Sequence, residues 1–158
     1  MANPQMDPVR NSGKAIVVRD QYLLVIVHRD ENGDWFSLPG GGQEPGETIT
    51  DALQRECVEE LGVSVTVGPL RHIREYIGAH HEFSREDAAF HQVDFMFECT
   101  LSGDIPGVSP SNPDRTQTGI RWLPLSSLPS SRRYPKELGR WLVGGMDPGA
   151  PVYLGDVN

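Results

Sequence analysis

Between residues 38 and 63 the chain reads LPGGGQEPGETITDALQRECVEELGV, a glycine-rich turn running into a short helix. That helix carries Glu56, Glu59 and Glu60 close together. Residues three and four apart are neighbours on a helix surface, so Glu56 lies beside both Glu59 and Glu60. The three carboxylates share an arc of roughly 100°. Like charges at this spacing repel and weaken the helix that bears them. Hard divalent cations such as Mg²⁺ select carboxylate oxygens, so a bound metal would neutralise the cluster. A solvated acidic face is the bland explanation, and the neighbouring residues decide against it.

Those neighbours keep a strict spacing. Gly41 is followed at fixed intervals by Glu47, Arg55-Glu56, Glu59-Glu60, Gly62 and Val63. This resembles the Nudix box, with each fixed Gly, Glu and Arg of the family pattern in register over residues 41–63. Cys57 departs from it, since the family usually has a larger aliphatic residue there; buried Cys behaves as a small hydrophobe and keeps the core role. The glycines are not a dinucleotide fingerprint, because the third glycine would fall at Pro45, and no Walker lysine follows them.

The resemblance implies a mixed α/β fold, an α/β/α sandwich in one domain over residues 12–158 behind a flexible segment 1–11. It implies a metal-dependent hydrolase that cleaves a phosphoanhydride bond in a nucleoside diphosphate linked to another moiety. Nucleoside triphosphates, ADP-ribose and nucleotide sugars are the substrate types it suggests. Glu56, Glu59, Glu60 and the carbonyl of Gly40 would hold Mg²⁺ or Mn²⁺, and Glu47 would pair with Arg55 to pin the loop to the helix. The general base stays open among Glu56, Glu60 and a loop residue. Some relatives use a Glu before the last strand; residues 114–117 here offer Asp114 and Gln117 but no Glu. Glu82 and Glu86, in the polar loop 78–89 with His80 and His81, are substitutes by composition. The alternative from another class is a Nudix-fold nucleotide sensor without catalysis, against which the three retained carboxylates argue.

Composition narrows the partners. The net charge of −8 argues against a polymeric nucleic acid, whose phosphates call for a basic footprint. An acidic protein can still take a phosphorylated small molecule when a metal supplies local positive charge. No stretch approaches the roughly 20 apolar residues of a spanning helix, and the first residues have no apolar run, so neither anchor nor secretory signal is expected. Cys57 and Cys99 form no CxxC, which fits reduced thiols in a cytoplasm. Dimers are common among relatives, so a homodimer is an option.

The remaining pattern supplies strands. Residues 12–19 and 22–29 are β-branched, apolar runs around Asp20-Gln21 and read as a hairpin. His28 reads as a strand residue facing polar surroundings. Residues 63–77 are strand-like with a break near Gly68-Pro69. Residues 90–101 alternate, with Val93, Phe95, Phe97 and Cys99 on one side and Gln92, Asp94, Met96 and Glu98 on the other. Residues 119–125 form a last strong strand, residues 135–143 a C-terminal helix, and residues 152–154 a short edge strand. Trp35, Tyr76, Phe83 and Phe90 are aromatics that could stack a base, with packing the plainer role.

Overall fold

The computed structural model describes residues 7–82, 85–107, 119–142 and 148–158. In chain order the elements are β1 (Arg10–Ile16), β2 (Val18–Arg19), β3 (Tyr22–Asp30), β4 (Gly33–Ser37), β5 (Gly40–Gly42), α1 (Ile49–Leu61), β6 (Val65–Ile77), β7 (His91–Leu101), β8 (Ile120–Pro124), β9 (Arg133–Tyr134), α2 (Leu138–Leu142) and β10 (Tyr153–Asp156). They form two mixed sheets. One has the order β10-β6-β7-β1-β5; the other has β2-β3-β4-β9, with β8 on the free side of β3.

The first expected hairpin is split between these sheets. β2 and β3 do pair antiparallel around Asp20 and Gln21, whose φ angles of 51° and 67° make the left-handed turn that suits a two-residue hairpin loop. β1, however, leaves for the other sheet, pairing parallel with β7 and antiparallel with β5. It also starts at Arg10, inside the stretch expected to be flexible. The break near Gly68-Pro69 is a pair of register shifts within β6 rather than an end. The C-terminal helix is shorter than the pattern suggested, with residues 135–137 outside α2.

Helix α1 is built as its ends announce. Thr48 Oγ1 accepts from the Asp51 N–H at 3.1 Å and Asp51 Oδ2 accepts from the Thr48 N–H at 3.1 Å, a reciprocal capping box. Gly62, at φ 72°, closes the other end with its N–H on the Val58 carbonyl. Leu53 and Cys57 are fully buried and Leu61 nearly so. Truncating a side chain such as Leu53 to Ala would cost about 2–5 kcal/mol. The helix reaches the sheet over glycine: a Cβ on Gly13 would stand 3.0 Å from the Ile49 carbonyl and from Leu53 Cβ.

Successive residues of the central strands feed opposite cores. Ala15, Leu24, Phe97 and Trp122 pack with Leu53, Cys57 and Leu61 of α1. Ile16, Leu23, Met96 and Leu123 pack with Leu138 and Leu142 of α2. Helices thus cover both faces, the expected α/β/α arrangement. Through this double covering the second face of β7 is interior as well. Gln92, Asp94 and Met96 are buried at 9%, 1% and 0% exposure. Asp94 survives there by accepting from Arg74 Nε at 2.7 Å and from Gln92 Nε2 at 2.6 Å.

Edge strand β10 pairs parallel with β6 and is clasped by side chains. Asp156 accepts from the Ile77 N–H at 3.0 Å and meets His80 Nδ1 at 2.7 Å and His81 Nε2 at 2.5 Å.

Candidate active site on helix α1

Arg55 is the hub of the site. Its Nε donates to Glu47 Oε1 at 2.6 Å and its Nη2 to Glu47 Oε2 at 3.1 Å, the two-pronged geometry a guanidinium makes with a carboxylate. The same Nη2 reaches the carbonyl of Gly42 at 3.0 Å. Its Nη1 donates to Glu56 Oε1 at 3.0 Å and to Glu59 Oε1 at 3.4 Å. Glu47 is held further by the Glu44 N–H, 3.0 Å from Oε2, and by Gln43 Nε2 on its carbonyl at 2.8 Å. One guanidinium therefore ties the loop, the glycine strand and two of the three helix carboxylates together. The Glu47 carboxyl is held below its ordinary pKa, first by the Arg55 hydrogen bond and then by the Glu44 N–H.

Glu60 has a different setting. It is half-buried and takes one hydrogen bond, from the Gly40 N–H at 3.2 Å. Burial pushes its carboxyl above the usual range, and Glu56 and Glu59 push the same way; the Gly40 N–H and Lys14 only partly offset this. Glu56 lies flat over Gly41, where a Cβ would stand 2.7 Å from both carboxylate oxygens. Glu59 is the outermost, its side chain 58% exposed.

The donor set fits a hard divalent cation. Glu56, Glu59 and Glu60 supply oxygen alone, and Glu60 is the one of the three for which no hydrogen bond to Arg55 is seen. Among the described residues no three Asp, Glu, His or Cys side chains are already drawn together at one point. Glu56 and Glu59 are held by Arg55 and Glu60 by the Gly40 N–H, so ion binding would require these side chains to converge.

The other expected residues fall in several places. Glu82 is engaged by Lys136 Nζ at 2.8 Å and Asn158 Nδ2 at 3.1 Å, on the C-terminal side. Glu86 is exposed. Asp114, Gln117 and Phe83 lie outside the described residues. Trp35 stacks on His28 with ring centroids 4.0 Å apart, and Tyr76 is buried with its hydroxyl on Asp87 at 2.8 Å. Phe90 lines a cavity of about 690 Å³ with Arg10, Asn11 and the loop residues Gln43 to Glu47. Lys14 was not singled out by sequence, although β1 places it opposite Gly40. Its only sequence signal is a cation inside an apolar strand.

The sequence matches the NUDIX domain over residues 9–142, most of the chain. The chain belongs to the Nudix family. Among curated Nudix relatives, the 8-oxo-dGDP phosphatase NUDT18 of Homo sapiens is 34% identical over 116 residues, 73% of this chain. That match covers 32% of the relative, so this chain spans about a third of its length. The CTP pyrophosphohydrolase of Escherichia coli is 39% identical over 69 residues, covering 42% of this chain and 46% of the relative. A solved mutator MutT protein from Bacillus halodurans superposes with a TM-score of 0.66 at 21% identity, covering 93% of this chain and 87% of the other. The Nudix fold is therefore shared well beyond the box.

Proposed function

We propose that this chain is a divalent-metal-dependent hydrolase of a phosphoanhydride bond in a nucleoside diphosphate linked to another moiety. The observation that carries this reading is that Glu60 reaches the glycine strand β5 at Gly40 while Arg55, on the same helix, holds Glu56, Glu59 and Glu47. Glu56, Glu59, Glu60 and the Gly40 carbonyl would hold Mg²⁺ or Mn²⁺. Bound there, the ion supplies charge stabilisation on the phosphoryl oxygens and a more acidic water.

The chain's own residues divide the remaining work. Arg55 and Glu47 keep the loop at a fixed distance from the helix. Glu60 is the carboxylate best suited to take a proton from water, because burial and its like-charged neighbours raise its affinity for one. Glu56, which accepts a hydrogen bond from Arg55, and a loop residue are the other candidates for that role. No helix among the described residues is long and apolar enough to cross a membrane. The reading places the protein in a cytoplasm, acting on a small nucleotide-type substrate, with a homodimer to be tested by light scattering.

The test is release of nucleoside monophosphate or phosphate from a panel with Mg²⁺ or Mn²⁺ at slightly alkaline pH. Names of relatives put oxidised deoxyguanosine diphosphate and CTP on that panel, beside ADP-ribose and nucleotide sugars. Turnover should vanish in EDTA and fall by about 100-fold or more in Glu59→Gln and Glu60→Gln. Nucleotide binding with no turnover across the panel would replace the hydrolase by a sensor.

A further inference from the structure

We propose that the cavity beside the loop ahead of α1 is a purine subsite, in which the base of the nucleotide lies between the Phe90 ring and the Arg10 guanidinium. This deepens the reading of α1 as the active site and rests on it.

The cavity, of about 690 Å³, is walled by Arg10 and Asn11 of β1, by Gln43, Glu44 and Glu47 of the loop, and by Phe90 ahead of β7. Pockets for small ligands run from roughly 300 to 1,000 Å³, so a nucleoside has room. β1 begins at Arg10, and the cavity opens round that end of the sheet. It therefore draws on both faces, Arg10 from one and Asn11 from the other. Hydrogen bonds tie it to the α1 carboxylates. Glu47 is one wall, Arg55 grips Glu47 at 2.6 Å and 3.1 Å, and the same guanidinium holds Glu56 at 3.0 Å. From Gln43 the chain runs back through Gly41, which lies under Glu56, to Gly40, which donates to Glu60. Three residues of strand span about 10 Å, which a ribose and its phosphates can cover.

The two flat walls are prepared for a ring. Trp35 is stacked on His28 and Tyr76 is buried, whereas Phe90 lines the cavity. The Phe90 N–H donates to the Asp87 carbonyl and its own carbonyl accepts from the Gly78 N–H, each at 2.8 Å. Tyr76 backs the Phe90 ring at 6.0 Å between centroids. The Arg10 guanidinium lies against Gly42, where a Cβ would stand 2.5 Å from Nε and Nη2, so glycine gives it that room. Arg10 makes no hydrogen bond or ion pair among the described residues. A guanidinium plane without a carboxylate partner can stack on a base. Below, the Asn11 and Gln43 side-chain amides bond each other at 3.3 Å and Gln43 donates from Nε2 to the Glu47 carbonyl, so this floor is fixed. The Glu44 carboxylate makes no hydrogen bond or ion pair among the described residues. It can only accept, which suits the amino group of adenine or guanine and not the carbonyls of uracil. Stacking on two sides favours the larger ring, and with the amino group this selects a purine.

Adenosine and uridine, titrated into the isotope-labelled, EDTA-treated full chain and followed by NMR, test the subsite without metal or phosphate. Adenosine should saturably shift the amides of Gln43, Glu44, Gly46 and His91, with uridine at least about fivefold weaker. Phe90→Ala should weaken adenosine about tenfold, and Phe90→Trp should stay within about threefold of wild type. Arg10→Lys keeps the charge and loses the plane, so it should weaken adenosine about threefold. No saturable binding, shifts that leave those four amides unmoved, or uridine bound as tightly as adenosine would each overturn the assignment. So would a Phe90→Ala chain that binds like wild type, or a Phe90→Trp chain as weak as Phe90→Ala. Should Phe90→Ala fail to fold, the nucleoside comparison on wild type and the Trp variant still decide. Adenosine held here by a chain that hydrolyses nothing would sink the hydrolase and keep the subsite; turnover with no adenosine in the cavity would do the reverse.

Discussion

Arg55 grips Glu47 through two separate nitrogens, Nε at 2.6 Å and Nη2 at 3.1 Å, across the junction between loop and helix. The pair is not a free-standing surface bridge. Its guanidinium also holds the Gly42 carbonyl and the Glu56 and Glu59 carboxylates, so losing it releases four partners together. Lysine offers a single charged nitrogen and cannot span them. Arg55→Lys should therefore lower kcat/KM by about 10- to 100-fold with a folded chain. Adding Glu47→Gln to Arg55→Lys should cost less than the sum of the single effects. Steady-state kinetics with circular dichroism on all three variants checks this; full additivity would show that the two residues act separately.

Gly41→Ala isolates the fit between strand and helix. The added methyl would meet the Glu56 carboxylate rather than backbone, and a flexible carboxylate can swing away. Activity should fall at least about tenfold while the melting temperature drops by only a few degrees. A collapse of folding with the same substitution would mean that the glycine serves packing instead.

Metal removal and pH are linked through Glu60. Its carboxyl sits above the ordinary value because of burial first, then Glu56 and Glu59. For a raised acid, the stabilising protonated form is present at low pH and is lost as pH rises through the shifted value. Metal-free protein should thus lose stability as pH climbs past the usual carboxylate range. Added Mg²⁺ should restore it, and Glu60→Gln should flatten the profile. Thermal melts in EDTA and in Mg²⁺ from pH 4 to pH 8 read this directly; identical profiles for wild type and Glu60→Gln would refute it.

Asp156 predicts the opposite dependence at the other end of the sheet. Burial pushes its carboxyl up, but hydrogen bonds from His81, His80 and the Ile77 N–H outweigh that and hold it at about 2, below its ordinary 3.8. A depressed acid stabilises the fold above the ordinary value and loses that contribution as pH falls toward the shifted one. Asp156→Asn should cost up to about 2 kcal/mol at pH 6 and almost nothing at pH 2. Urea unfolding at the two pH values measures the difference.

Helix α1 was legible because its determinants are local. Thr48 and Asp51 mark its start, Gly62 its end, and the row Leu53, Cys57, Leu61 its buried side. The division of residues 10–19 between two sheets was not legible, because Val17 carries no turn residue and the change is decided by partners far away in sequence. The burial of Gln92 and Asp94 was hidden for a related reason: alternation shows two faces of a strand but not that both will be covered. Within the site, the three carboxylates could be named from spacing, and the Glu47–Arg55 pairing from the Nudix resemblance. The reach of Arg55 to Gly42, and the position of Lys14 opposite Gly40, depend on strand register and had no sequence signature.

The split at Val17 also has a kinetic consequence. The β2–β3 hairpin closes on itself over a two-residue loop and can form within microseconds of collapse. β1 has no comparable neighbour on that side; its parallel partner begins at Gln92, opposite Arg10, and the chain between them must first be brought round. Loop closure of that length is a slow, entropy-limited step. Gly13 rides on β1, so the surface on which the acidic helix packs is assembled late. A nascent chain would carry its hairpin long before it could position a nucleotide.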